Sequence, residues 1–453
     1  MQPTFFLPDT VQKILFQLNK AGFSAYIVGG CVRDCLCGIQ PADWDICTSA
    51  LPQQTKAVFS DNSVIETGIQ HGTVTVLMDG EPFEITTFRI EGSYSDGRRP
   101  DSVSFSTDVT QDLSRRDFTI NAMAYHPTEG FIDPFGGKSD LEQNRLRCVG
   151  DPVQRFSEDA LRIMRGLRFL SRFGFEVDPS CDAALHRCKH LLTHVSAERI
   201  FSELCKLLCE NHVEQVLLNY SDILFEILPE LAPMKNFEQH NVYHVFDVWQ
   251  HTVKAVSCSN RNLMVRLTML FHDIGKPQCY SYKDGVGHFY GHPQVSTELA
   301  NSILLRLKTS THLRNTVCTL VQYHDCELSA KPSSIKRWLN KLGKELFLLL
   351  LEVKKADILA QNPKFYDRLS QIDFIQQLTA EILAQNSCIS LQNLAVSGKD
   401  LLELGYPQGK QIGVILNFLL EQVLSDQLEN NKDSLISYIT QNQNTLLNLT
   451  YKQ

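Results

Sequence analysis

The sequence predicts an α+β multidomain protein. A small mixed α/β head occupies residues 1–138. It is followed by a helical neck over 139–225, a histidine-rich helical unit over 226–375 and a helical tail over 376–453. Three observations carry this reading. Alternation of apolar and polar residues, the mark of half-buried strands, is confined to the chain before Ser139. Helical periodicity broken by Pro and Gly runs from there to the end. The chain is 453 residues long with 43% apolar and 21% charged residues, ordinary globular values that leave room for several cores.

In chain order, Thr10 to Ala21 has a helical repeat, and Ala25 to Val28 is an apolar strand ending at Gly29-Gly30. Trp44 to Ile46 is read as part of a second strand. Gly72 to Met78 and Phe83 to Arg89 alternate as strands, and Asp79-Gly80 between them is a strong hairpin signal. Asp96 to Pro100 is rich in turn formers and is expected to be mobile. Beyond the head, Asp178-Pro179, Leu228-Pro229 and Asn362-Pro363 mark element boundaries. Gln239 to Asn362 is enriched in His and reads as a unit of its own.

The net charge of −8 excludes a protein that coats nucleic acid through bulk charge, although a local basic patch still can bind it. The 14 Cys are scattered without C-x-x-C pairs, and Met1 to Lys13 lacks the pattern of an export signal. The cysteines are therefore expected to be reduced thiols used as small buried residues. No apolar run reaches the roughly 18 residues of a membrane span. A soluble, cytoplasmic protein without membrane contact is expected.

Two groups of residues point to chemistry. In the first, Gly29-Gly30 closes a strand and Arg33-Asp34 follows within a helical turn, which lets backbone approach a phosphate. Asp43-Trp44-Asp45 then places two carboxylates on one strand face. Such a pair repels itself unless a cation sits between. Mg²⁺ held by carboxylates and substrate phosphates is the usual arrangement in phosphoryl transfer. Glu84 on a neighbouring strand is a candidate third carboxylate. The bland alternative for D-x-D alone is a solvated strand end.

In these residues the chain resembles the bacterial tRNA nucleotidyltransferases and poly(A) polymerases. Gly29-Gly30-Cys31-Val32-Arg33-Asp34 followed by Asp43-x-Asp45 is similar to their polymerase-β-like head. Arg115-Arg116-Asp117-Phe118-Thr119-x-Asn121 resembles the family's ribose- and triphosphate-contacting motif, and Asp133-Pro134-Phe135-Gly136-Gly137 its hinge. Glu158-Asp159-Ala160-Leu161-Arg162 resembles its base-selecting motif, and Ala197 to Leu208 its fifth block, read here as structural support. The resemblance covers roughly residues 23 to 208. It implies that Asp43 and Asp45 hold Mg²⁺ and help activate a terminal hydroxyl. It also implies that Gly29, Gly30, Arg33, Arg115, Arg116, Asp117 and Asn121 contact nucleotide.

The base-selecting block has a mechanism in its side chains. Ser157 is expected to cap a helix carrying Glu158 to Arg172, with Asp159 and Arg162 three apart on one face. A carboxylate accepts and a guanidinium donates. Cytosine and adenine offer an amino donor beside a ring-nitrogen acceptor, whereas uracil and guanine offer the reverse. An Asp–Arg pair can accept C and A and leave buried groups unpaired with U or G. The alternative is an intrahelical ion pair. Arg165, Arg168 and Arg172 continue the helical spacing. From Arg145 to Arg172, seven Arg meet three acids, a patch suited to phosphates and a tRNA acceptor end. For the outer arginines a solvated charged helix is an equal reading. Glu158 is taken as a supporting residue.

The second group is His251, His272-Asp273, His292, His324 and Asp357. His272-Asp273 ends an apolar helix, Met264 to Phe271, and an adjacent His and Asp can share or bridge metals. The set resembles the H…HD…D pattern of HD-domain phosphohydrolases. That implies a divalent metal (Mn, Ni, Fe, Mg or Zn) on His251, His272, Asp273 and Asp357, with His292 and His324 as extra ligands or phosphate contacts. Gly398-Lys399-Asp400-Leu401 and Pro407 to Gly413 resemble the family's tail, where Asp400 and Lys399 either cap a helix or meet RNA.

The expectation is template-independent addition or repair of the tRNA 3′-CCA from CTP and ATP, with a second, hydrolytic site. Relatives that add only A, only CC or a poly(A) tail share these motifs. The loop from Gly92 to Pro100, which in the family accompanies the switch from C to A, leans toward the full reaction. Two rivals of other classes are disfavoured. The intact Asp43/Asp45 pair argues against an HD phosphohydrolase of nucleotides or 2′,3′-cyclic RNA ends with an inert head. The retention of both metal-ligating sets argues against a non-catalytic tRNA chaperone.

Overall fold

The computed structural model describes residues 5–66, 68–92, 102–385 and 388–449. The Asp96 to Pro100 turn expected from sequence, and with it most of the loop after Gly92, lies outside the described residues. Two compact units account for the chain: residues 1–232 with 306–309, and residues 233–305 with 310–453. The first spans the expected head and neck, the second the expected histidine-rich unit and tail. No helix among the described residues is long and apolar enough to cross a membrane.

The first unit is built on a mixed sheet. Its strands are β1 (Ala25–Val28), β2 (Ile46–Thr48), β3 (Ser63–Ile65), β4 (Thr73–Met78) and β5 (Glu81–Thr87). Strands β6 (Arg89–Glu91) and β7 (Val103–Phe105) form a separate ribbon, and β8 (Ala124–His126) and β9 (Gly130–Ile132) complete the sheet. The order is β3-β4-β5-β2-β1-β8-β9, with β2 and β5 parallel. Helix Asp9–Lys20 covers it with Val11, Ile14, Leu15 and Leu18, the i, i+3, i+4, i+7 stripe of an amphipathic helix. The β4–β5 turn holds Asp79 at φ 54° and Gly80 at φ 85°, the mirror-image turn that matches strand twist.

Strand β2 differs from expectation, since it starts at Ile46 rather than Trp44. Ile46, Cys47 and Thr48 are buried between β1 and β5, whereas Asp43 and Asp45 lie just before the strand, where burial would be costly. The two-residue alternation survives outside the ladder, because Trp44 packs on the core.

The segment expected to select bases is also reorganised. Helix Pro152–Glu158 is capped by Asp151, whose carboxylate accepts from the Gln154 N–H at 2.7 Å, and it ends at Asp159 in an extended conformation. A new helix runs Leu161–Phe173. Ser157 is therefore inside the earlier helix, donating to the Val153 carbonyl, and is not an N-cap. Asp159 is the residue between two helices, and its Oδ1 accepts from the Leu161 N–H. Pro152 fixes the first start and Asp159 supplies a competing local acceptor, so the chain breaks there.

The remainder is not purely helical. Arg145–Leu146 pairs parallel with Glu176–Val177, and Ser281–Lys283 forms a hairpin with Val286–His288. The latter turns on Asp284-Gly285, the same signal as Asp79-Gly80, in a segment short enough to be lost among helices. In the second unit, helices Val248–Cys258, Leu263–Phe271, Thr311–Tyr323 and Pro332–Leu359 pack together. The last is broken at Gly343, whose φ is 78°. The tail helices pack on their own core, including Leu401, Ile415, Leu419, Leu435 and Ile439. Asp400 caps its helix: its carboxylate accepts from the Ser397 N–H and hydroxyl, and Lys432 pairs with it at 2.6 Å.

Gly137 of the expected hinge tests the packing behind the site. A Cβ there would come 2.1 Å from the Thr119 carbonyl oxygen and 2.8 Å from its carbon, which are backbone atoms. Gly137→Ala is expected to destabilise the first unit by about 1–3 kcal/mol, read as a lowered Tm. An unchanged Tm would show that the segment is loose.

Candidate active site and metal centre

Asp43 and Asp45 come together with Glu84. A cavity of about 570 Å³ is lined by Ala42, Asp43, Trp44, Asp45, Thr75, Glu81, Pro82, Phe83 and Glu84. The reason is register: Ile46 pairs with Ile85 across the parallel β2–β5 ladder, so the residues preceding each are neighbours on one face. Asp45 is open to solvent on one side, yet its pKa is raised. Burial by the surrounding protein is the largest cause and Asp43 adds to it, against Arg116 and Arg165. An all-carboxylate donor set with mutual repulsion fits a hard oxygen-seeking cation such as Mg²⁺.

Asp45 also lines a second cavity, of about 410 Å³, whose wall is arginine. Gly30, Arg33, Arg115, Arg116, Asp117, Asn121, Asp159, Arg162, Arg165, Arg168, Phe169 and Arg199 surround it. Gly29 does not line it but makes it possible, because a Cβ at 29 would stand 2.7 Å from an Arg116 guanidinium nitrogen.

Each arginine is held by a carboxylate or amide behind it. Arg33, buried, donates to Asp34 at 2.7 Å and to the Asn121 amide oxygen at 2.6 Å. Arg115 and Arg116 pair with the buried Asp112, and Arg115 also with Glu91. Arg165 donates to Asp117 at 2.7 Å, and Arg168 pairs with Glu203 at 3.0 Å. Burial alone would raise the Asp117 pKa. Arg165, the Asn121 amide and the Phe118 N–H outweigh it and bring it to about 2. Its stabilising contribution is thus fully present above the ordinary Asp range and is lost only as pH falls through about 2.

Asp159 and Arg162 both line this cavity, but they do not pair with each other as expected from sequence. Arg162 donates to Glu158 at 2.7 Å, to the Arg155 carbonyl at 3.2 Å and to the Arg115 carbonyl at 3.0 Å. Asp159 accepts from Arg199 at 2.7 Å. The break at Asp159 is the physical reason, since the two residues no longer share a helical face. Glu158 is thereby a positioning residue for Arg162. Arg199 was missed as a site residue. Its signal was present, because Arg199 and Glu203 are four apart on helix Ala197–Leu208 and hold Asp159 and Arg168 respectively.

The family model described as the Poly A polymerase head domain matches residues 25–147. A model of tRNA nucleotidyltransferase domain 2 matches residues 289–439, and one described as a probable RNA and SrmB-binding site of polymerase A matches 174–235. The CCA-adding enzyme of Bacillus pumilus is 35% identical over 435 residues, covering 94% of this chain and 95% of the relative. The chain is a nucleotidyltransferase of the CCA-adding enzyme family. The CCA-adding enzyme of Levilactobacillus brevis is 32% identical, covering 95% of this chain and 97% of its own length. Among solved structures, the Bacillus stearothermophilus CCA-adding enzyme in complex with CTP superposes with a TM-score of 0.73. It is 26% identical and covers 97% of this chain and 99% of that one.

The second unit gathers the six histidine and aspartate positions. His251, His272 and Asp357 form one set of convergent ligand atoms, and Asp273, His292 and His324 another. All four imidazoles turn Nδ1 to a backbone carbonyl: His251 to Ala360 at 3.2 Å, His272 to Met269 at 2.7 Å, His292 to Phe289 at 2.8 Å and His324 to Val321 at 2.7 Å. A carbonyl only accepts, so each Nδ1 carries its hydrogen and each Nε2 faces inward. The Nε2 atoms of His251 and His272 stand 3.2 Å apart, and those of His292 and His324 3.1 Å apart. Facing lone pairs at that distance need a cation or an added proton between them.

Asp273 reaches both sets, Oδ2 lying 3.1 Å from His272 and Oδ1 3.4 Å from His292. Burial would lower the His272 pKa, but Asp273 and Asp357 raise it overall, the same demand for positive charge in another form. Sequence reasoning did not single out Lys276, buried and 2.7 Å from Asp273, or His244, whose ring meets His251 edge-on and whose pKa burial brings down to about 2.

Proposed function

We propose that the chain adds or repairs the 3′-terminal CCA of tRNA, using CTP and ATP with Mg²⁺. The observation that carries this is Asp45, which lines both the carboxylate cavity and the arginine cavity. A nucleotide whose triphosphate lies against Arg33, Arg115, Arg116, Arg165 and Arg168 then has its α-phosphate beside the carboxylates. Asp43 and Asp45, with Glu84 near, would hold Mg²⁺, which would supply activation of the terminal hydroxyl and charge compensation for the pyrophosphate.

The chain's own residues do the rest. The arginines bind and orient the polyanion. Asp117 and Asn121 fix Arg165 and Arg33 in place. Arg162 has used three of its five donors on protein and Asp159 keeps acceptor capacity, so both can meet an amino-bearing base edge.

Incorporation of single labelled nucleotides into tRNA transcripts ending before CCA, after C and after CC tests the proposal. Two C and one A across the three ends are expected. Addition to only some ends would move the assignment to an A-adding, CC-adding or poly(A) relative. No incorporation would overturn it. The same assay reads base selection. Arg199→Met, which frees Asp159 to rotate, is expected to reduce discrimination against UTP and GTP by about tenfold. Undiminished selectivity would remove Asp159 from the base-reading role.

A second reading concerns the histidine cluster, and the four backbone-fixed imidazoles favour it. The donor set of imidazole nitrogens and carboxylates suits Mn, Fe, Ni or Zn. We infer a phosphohydrolase centre there, in which His251, His272 and Asp357 would hold one divalent ion and Asp273, His292 and His324 a second. The chemistry such ions would supply is activation of a water for phosphoester hydrolysis.

A further inference from the structure

Phe169, on the nucleotide-facing side of helix Leu161–Phe173, holds three cavity arginines at once. The Arg168 guanidinium carbon lies 4.7 Å from the ring centroid, that of Arg33 5.3 Å and that of Arg165 5.7 Å. Arg33 comes from the head, the other two from the neck helix, and each has its own carboxylate elsewhere: Asp34, Glu203 and Asp117. The ring is what the three share. Phe169 is itself only 2% exposed, and Phe118 meets it edge-on at 5.7 Å, so its position is fixed.

Converging three like charges in a cavity is unfavourable, and a site for a triphosphate needs them converged. A further carboxylate would gather them but cancel the field that attracts the phosphates. An aromatic face attracts cations through its quadrupole while leaving their net charge unchanged. We propose that Phe169 is a positioning residue for polyphosphate binding, gathering Arg33, Arg165 and Arg168 without neutralising them. The inference rests on the reading of this cavity as the nucleotide site.

The test replaces Phe169 by mono-, di- and trifluorinated phenylalanine in the full-length chain. Fluorination drains the negative ring face at nearly constant volume, so packing is retained. Binding of CTP and of CMP is measured by titration calorimetry. CTP affinity is expected to fall stepwise, reaching about tenfold, while CMP affinity stays within about twofold. Phe169→Met, of similar volume without the quadrupole, is expected to match the trifluorinated protein, and Phe169→Tyr to retain most of the affinity. A flat fluorination series, or equal loss for CTP and CMP, overturns the proposal and leaves Phe169 a packing residue. Failure of the unsubstituted protein to bind CTP overturns the reading of the cavity itself and this inference with it.

Discussion

Asp45→Asn is expected to abolish nucleotide addition at all three tRNA ends, by roughly 10³-fold or more, equivalent to about 4 kcal/mol of transition-state stabilisation. The isosteric change keeps the side chain's shape and removes only its charge. Asp45 stands where the carboxylate and arginine cavities meet, so its loss is expected to uncouple the proposed cation site from the proposed triphosphate site. The fold is expected to be unaffected, because the Asp45 pKa is raised in the native state and removing the charge relieves repulsion from Asp43. CTP affinity, dominated by the arginines, is expected to stay within about threefold in calorimetry. Single-turnover incorporation compared with wild type is the deciding measurement. Addition retained within about tenfold would mean that Asp45 holds no catalytic cation.

The second large effect is in the histidine cluster. Asp273→Asn is the obvious variant but a poor one. It would leave the Lys276 ammonium buried without its partner, at a cost of about 3–5 kcal/mol. Asp357→Asn and His324→Asn remove one ligand from each set without that penalty. Each is expected to lower the affinity for one of two bound ions by about 100-fold or more, since even outer-shell changes reach that range. Metal content after dialysis against Mn, Ni or Zn, read by mass spectrometry, should fall from two equivalents to one in either variant. Hydrolysis of phosphomonoesters and of 2′,3′-cyclic ends should be lost in both, while CCA addition continues unchanged. Retention of less than one equivalent by the unsubstituted protein would overturn the metal-centre reading.

Much of the candidate site was legible because its chemistry is carried by residue types at short spacings. Asp43-x-Asp45 needs only the two-residue alternation of an extended chain, and this alternation persisted even though the strand begins later, at Ile46. The Asp79-Gly80 turn and the stripe of helix Asp9–Lys20 are likewise local. Local logic failed at Glu158 to Arg162. Spacing of three suggested a shared helical face, but a helix break depends on what competes for the backbone. At Asp159 the side chain's Oδ1 takes the Leu161 N–H, and Arg199 from a distant helix holds Oδ2. The six histidine and aspartate side chains could be gathered from sequence, but not sorted into two facing sets. That sorting comes from four backbone carbonyls on separate segments, each fixing one imidazole.

The sequence by itself determined which kinds of group this protein carries: paired carboxylates, an arginine-rich helix and a histidine-rich unit. These are properties of composition and short-range periodicity, which the chain carries before it folds. The tertiary structure decided which charge faces which. It placed Asp45 at the junction of two cavities, gave Asp159 to Arg199 and Arg162 to Glu158, and set three arginines around Phe169. Electrostatic and cation–π energies depend on distances between residues far apart in sequence. Those distances exist only once the sheet and helices have packed.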